Sequence, residues 1–201
     1  MSFLNTNHEK SIEQLKSGNF EKALEYIQDA LFEDKSHPVL LAERATIFMY
    51  LKRRDEAFED LDLAIYLQPE NPYRYSSRAY VKDFFGDIEG AIADYEKCIK
   101  LDPEDIIAHN NLGLLIEKQG NLNRAKKHYK AADNFLEKNP NLQSRIKTEQ
   151  STSDQTSKAD PLLNFKEKNS SSMSVAKDVL TKKSVFKEFI QFIFNGFKIK
   201  S

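Results

Sequence analysis

Apolar and polar positions along residues 4–139 alternate at the spacing of amphipathic helices, and the pattern returns every 34 residues. The stretch 86–103, GDIEGAIADYEKCIKLDP, shows the unit most clearly. Ala91, Tyr95 and Cys98 stand at i, i+4 and i+7, on one helical face. Shifted by 34, Gly86 falls on Gly120 and, two steps back, on Gly18. Ala91 falls on Ala125, Ala57 and Ala23, Cys98 on Ala132, Ala64 and Ala30, and Pro103 on Pro69. Small side chains at these places let neighbouring helices approach closely, and Tyr95 fills the space between them. Pro103 ends the unit because proline cannot continue a helix and pushes Asp102 toward extended backbone.

The chain therefore divides into units 4–37, 38–71, 72–105 and 106–139, each reading as two helices joined at a turn. In the third unit Tyr75, Arg78, Ala79 and Lys82 belong to the first helix and Gly86 marks the turn. This pattern resembles the tetratricopeptide repeat, a helix–turn–helix unit that stacks into a right-handed superhelix. The Leu-Gly pair of that family stands at Leu112-Gly113, with Arg44-Ala45, Arg78-Ala79 and Lys10-Ser11 in its place elsewhere. The second-helix aromatic appears as Tyr95 and Tyr129, with Ile27 and Leu61 as aliphatic substitutes. Lys52 replaces the turn glycine of the second unit, and His109 replaces the family's first-helix tryptophan. The resemblance implies an all-α fold, a right-handed α-solenoid.

The repeat pattern stops at Pro140. Residues 140–149 read as a short capping helix, since an array needs a polar outer end. Residues 150–174 are rich in Ser, Thr, Asn and Lys and read as a flexible linker. Residues 175–201 form a basic, Phe-rich tail. At 100° per residue Val185, Phe186, Phe189, Ile190, Ile193 and Phe197 cover one broad face of an amphipathic helix. Phe192 and Phe194 edge it, opposite a narrow polar stripe.

Charge sharpens this division. Residues 1–139 carry 19 basic and 25 acidic side chains, whereas residues 140–201 carry 11 and 6. An acidic body bears a basic tail. The single cysteine, Cys98, excludes an internal disulfide and suits a reducing compartment. The start, MSFLNTNHEKSIEQ, has no basic region leading into an apolar stretch, so no signal peptide is expected. The expected location is cytoplasmic, with a peripheral position at a membrane as the alternative.

Residues that could carry catalysis are not arranged to do so. Gly86 and Gly90 sit at a repeat turn with no preceding strand, which excludes a dinucleotide fingerprint, and no Walker loop is present. His8, His37, His109 and His128 show no i, i+4 zinc pair. Cys98 replaces an alanine at a helix contact and reads as a buried filler. The acidic run DEAFEDLD at 55–62 reads as a solvated helix face. No enzyme, cofactor, metal, small-molecule substrate or nucleic acid is expected.

The resemblance implies a groove lined by the first helix of each unit, where an extended peptide or a partner helix lies. Carried onto this sequence, its positions are Val39, Glu43, Thr46 and Tyr50, then Tyr73, Ser77, Tyr80 and Phe84. Ile107, Asn110, Asn111 and Leu114 follow from the fourth unit. Tyr80 and Phe84 either anchor a ligand or pack between repeats; aromatic side chains commonly anchor binding hot spots.

Family members with a carboxylate clamp hold a peptide's C-terminus with Lys, Asn and Arg from three first helices. Those places hold His8 and Ile12, Glu43, and Tyr73 and Ser77 in one frame. Starting one unit later they hold Ala42 and Thr46, Ser77, and Ile107 and Asn111. Neither frame keeps the bases, so the expected ligand is an apolar or basic segment rather than a chaperone C-terminus.

The tail is too short to span a bilayer, and Lys187 and Glu188 would each cost about 2.5–3.5 kcal/mol at its centre. Two readings remain for it. Phe186, Phe189, Ile190, Ile193 and Phe197 could lie on a membrane surface, helped by Lys182, Lys183, Lys187, Lys198 and Lys200. They could equally dock on protein, either a partner or the chain's own groove. The expected function is a non-catalytic adaptor, with a membrane-tethered array as the alternative.

Overall fold

The computed structural model describes residues 4–140; the capping, linker and tail expectations lie outside them. The described residues hold eight α-helices and no strand. They fall into two compact units, divided between Pro103 and Glu104.

The first unit contains three helical pairs. They are α1 (Thr6–Lys16) with α2 (Phe20–Glu33), α3 (Pro38–Tyr50) with α4 (Arg54–Leu67), and α5 (Pro72–Phe84) with α6 (Ile88–Leu101). Each helix packs on its pair partner; α3 also packs on α2 and α5, and α5 on α4. The second unit contains one pair, α7 (Ile106–Lys118) and α8 (Leu122–Lys138).

Local chemistry sets the helix starts. Pro38 and Pro72 open α3 and α5, where a missing N–H costs nothing. Asn5, Asp87, Asp105 and Asn121 accept N–H groups three residues on, and Asn71 accepts the N–H of Tyr73. The turns within pairs need left-handed backbone. Gly18, Gly86 and Gly120 supply it at φ 76°, 84° and 83°, and Lys52 adopts φ 60° at the equivalent place.

The repeated small residues occupy the helix contacts. Ala23, Ala57, Ala91 and Ala125, with Ala30, Ala64, Cys98 and Ala132, are all at most 1% exposed. Ile27, Leu61, Tyr95 and Tyr129 are buried between them. Cys98 is a free, buried thiol. Opposite, the first helices present Ser11, Ala45, Ala79 and Gly113, all buried. A Cβ on Gly113 would come within 2.5 Å of the Tyr129 ring, so only glycine lets that ring close on α7. Ser11 needs a partner there and donates to Ala23 O at 2.9 Å.

Candidate partner-binding surface

Within the helical pairs of the first unit, two positions sixteen residues apart tie the first helix to the second. Arg44 grips Asp60 with two hydrogen bonds of 2.7 Å, and Arg78 grips Asp94 with bonds of 2.8 and 2.7 Å. Arg78 also donates to Asp62 of α4 at 2.7 Å, so one guanidinium links α4, α5 and α6. Lys82 adds a fourth contact, 2.8 Å from Asp94. The hydrogen bonds hold both guanidinium groups above the usual arginine range, Asp60 acting on Arg44 and Asp94 on Arg78. In the first pair the equivalent residues are Lys10 and Tyr26, with the ammonium 5.5 Å from the ring centroid. In the second unit they are Leu112 and His128. These arginines fasten the scaffold; they are not poised for a ligand.

A second polar row runs beneath the first helices of the first unit. The backbone N–H of Leu4 donates to His8 Nδ1 at 3.0 Å, which places the ring proton on Nε2. That nitrogen lies 2.8 Å from Glu43 Oε2, a contact close in distance rather than aligned as a hydrogen bond. Burial pushes the Glu43 carboxyl above its usual range, and His8 opposes the shift. Arg74 is buried too, donates to Gln68 Oε1 at 2.9 Å, and is lowered by burial to about 10 against the pull of Glu43.

A carboxyl whose folded value lies above its unfolded one contributes stability that is full below the unfolded range and lost as pH rises through the folded value. The stability difference between wild type and Glu43→Gln should therefore move in favour of the wild type as pH falls toward the ordinary carboxylate range. Thermal melts of the two chains at stepped pH values check this; a difference independent of pH would contradict it.

The sequence-derived groove positions divide by depth. Val39, Tyr50, Tyr73, Tyr80 and Phe84 are half-buried on α3 and α5. Glu43, Thr46 and Ser77 lie beneath the surface. Thr46 donates to Ala42 O at 3.1 Å and Ser77 to Tyr73 O at 2.7 Å, each four residues back along its own helix. In the second unit Ile107, Asn111 and Leu114 are half-buried on α7, and Asn110 is buried with its amide on Ile106 O at 3.0 Å. The first unit thus offers an aromatic and apolar surface whose polar groups are largely turned inward. Phe186, Phe189, Ile190, Ile193 and Phe197 lie outside the described residues.

Aromatic rings continue this surface toward the turns. Tyr50 stacks on Phe20 at 4.6 Å and 5°, and meets Phe84 edge-on at 6.4 Å. The ammonium of Lys52 sits 3.9 Å above the Phe84 ring centroid. The strained backbone of Lys52 and this cation–π contact occur at one residue.

The sequence did not indicate the pairing of His109 with His128. Their Nδ1 atoms are 3.2 Å apart, within hydrogen-bond distance, and their tilted rings have centroids 5.5 Å apart. One Nδ1 donates and the other accepts, the direction being set by the tautomers. Burial, then His109, then Arg124 hold His128 below the usual imidazole range. Among the described residues no group of three or more His, Cys, Asp or Glu side chains could hold a metal ion. No helix among them is long and apolar enough to cross a membrane.

A family model described as "TPR repeat" matches residues 86–120, and one described as "Tetratricopeptide repeat" matches residues 40–71. The RNA polymerase II-associated protein 3 of Xenopus tropicalis is 34% identical over 104 residues, covering 52% of this chain and 16% of that protein. The TPR repeat-containing thioredoxin TDX of Arabidopsis thaliana is 28% identical over 120 residues, covering 59% of this chain and 30% of that protein. The chain thus spans less than a third of the length of these curated relatives. Among solved structures, MamA from Desulfovibrio magneticus superposes with a TM-score of 0.58 at 18% identity, over 66% of this chain and 75% of that one. The first TPR domain of Spaghetti (RPAP3), bound to the HSP90 peptide SRMEEVD, superposes with a TM-score of 0.50 at 28% identity, over 56% and 89%.

Proposed function

Since the chain is a tetratricopeptide-repeat protein, we propose that it is a non-catalytic adaptor whose first helices hold an apolar or basic protein segment. The observation that carries this is the half-buried row Val39, Tyr50, Tyr73, Tyr80 and Phe84 on neighbouring helices α3 and α5. Its rings offer flat apolar area of the kind that already holds the Lys52 ammonium over Phe84, while Glu43, Thr46 and Ser77 are withdrawn beneath it. The related domain that binds SRMEEVD supports peptide capture as the mode.

The residues here favour a different peptide. The places of a carboxylate clamp in the first unit are occupied by Ile12, Tyr73 and Ser77 and by the buried His8–Glu43 contact. None of them provides a solvent-facing lysine or arginine for a terminal carboxylate.

Fluorescence anisotropy on the full chain tests both parts, using labelled SRMEEVD and a labelled peptide of alternating leucine and lysine. The leucine–lysine peptide should bind with a Kd of roughly 1–100 µM, and SRMEEVD at least about tenfold more weakly. Tyr73→Ala combined with Tyr80→Ala should weaken the leucine–lysine peptide by about tenfold or more. Tighter binding of SRMEEVD would overturn the ligand preference, and indifference to the double substitution would overturn the surface.

A further inference from the structure

The outer helices of the first unit carry an apolar face that the peptide surface does not use. Phe32 is 78% exposed and Tyr66 80% exposed, and they hold equivalent places on α2 and α4, 34 residues apart. Leu63 and Leu67 are also exposed; with Tyr66 they sit at i, i+3 and i+4, one patch of the α4 surface. The equivalent place on α6 is Lys100, so the patch is confined to α2 and α4. Exposed rings at matched places in successive repeats are more than scattered surface residues.

Acid outnumbers base on the exposed faces of these two helices. On α2 and α4 the exposed carboxylates are Glu21, Glu25, Asp29, Glu33, Asp55, Glu59 and Asp62, against Lys22 and Arg54 as exposed bases. An occupant should therefore combine large apolar side chains with positive charge. One segment of this same chain has that composition. Residues 182–200 hold five phenylalanines, with Lys182, Lys183, Lys187, Lys198 and Lys200, and only Glu188 as an acid. Its apolar residues Phe186, Phe189, Ile190, Ile193 and Phe197 fall on one side at helical spacing.

Reach is sufficient. The 44 residues between Pro140 and Val185 span up to about 150 Å when extended. A compact unit of the size of α1–α6 has a radius of gyration of only about 13 Å.

We infer that Phe32, Leu63, Tyr66 and Leu67 form a docking site for the chain's own C-terminal segment, residues 185–197. Docking would cover the exposed rings, pair basic tail with acidic body, and keep the segment's apolar face from water. The occupied face is the outer one, so docking leaves Tyr73 and Tyr80 to a partner. It also makes release of the tail, rather than blockage of the peptide surface, the event a competitor would control.

The chain has no tryptophan, so Tyr66→Trp in the full-length protein reports on this place alone. Its emission should be blue-shifted, and acrylamide should quench it at least about twofold less than in the same chain also carrying Phe189→Asp and Ile193→Asp. Circular dichroism of both chains confirms that the repeats remain folded. The shielding should survive about a hundredfold dilution, because a tethered segment keeps its effective concentration. Equal quenching in the two chains overturns the inference. Shielding lost on dilution overturns it in favour of a second copy. A fully quenched indole in a chain that sediments with phosphatidylserine vesicles overturns it in favour of a lipid-bound tail.

Discussion

Replacing Arg78 by alanine is expected to cost about 3 kcal/mol, the lower end for breaking a buried pair from one side. The guanidinium holds Asp94 with two aligned bonds and Asp62 with a third, so its loss loosens α5 from both α4 and α6. Asp94 is buried and would keep only Lys82 as a counter-charge, which moderates the loss without removing it. A second substitution separates charge from shape. Arg78→Leu with Asp94→His reproduces Leu112 and His128, the residues at these places in the second unit. That double variant should lose less than Arg78→Ala, because no buried carboxylate is stranded. Urea unfolding followed by circular dichroism measures both. A loss below about 1 kcal/mol for Arg78→Ala would place the contact with ordinary surface pairs.

Tyr95→Ala is expected to cost about 3–5 kcal/mol, a large share of the roughly 5–15 kcal/mol typical of a domain. The ring is 2% exposed and fills the gap between the small residues Ala91 and Cys98, which cannot move in to close it. Tyr95→Leu is the control. Ile27 and Leu61 occupy the same place in the first two pairs, so an aliphatic side chain should keep most of the stability. Because each repeat leans chiefly on its neighbours, the third pair should melt first in the alanine variant. Hydrogen exchange should therefore show early opening of α5 and α6, and uniform exchange across α1 to α8 would contradict local melting.

The sequence carried the scaffold because close helix contacts demand small side chains, and that demand recurs at one spacing. Ala23, Ala57, Ala91 and Ala125 align on that spacing alone. The clasps were also present in the sequence, as an arginine followed sixteen residues later by an aspartate in two successive units, yet Arg44 and Arg78 stood out only as departures from Leu-Gly. A fixed offset between opposite charges across a predicted turn is the signal that could have found them.

Depth was less legible. Periodicity puts Glu43 on the correct helix but does not reveal that His8, on a helix of the preceding pair, meets it below the surface. The His109–His128 contact joins residues nineteen apart with no equivalent in the other repeats, so no repeated offset marked it. Phe32 and Tyr66 show a different limit. Their apolar character suggests core, and only their accessibility shows them turned to solvent.

The proposed adaptor role turns on α3 and α5 holding a partner segment through their half-buried aromatic row. Its most direct test is the affinity of the full chain for the leucine–lysine peptide, measured in parallel on Tyr73→Ala/Tyr80→Ala and on Phe32→Ser/Tyr66→Ser. The first variant should lose about tenfold or more in affinity, and the second should lose none. Loss confined to the second variant, or SRMEEVD bound more tightly than the leucine–lysine peptide by the wild type, would contradict it.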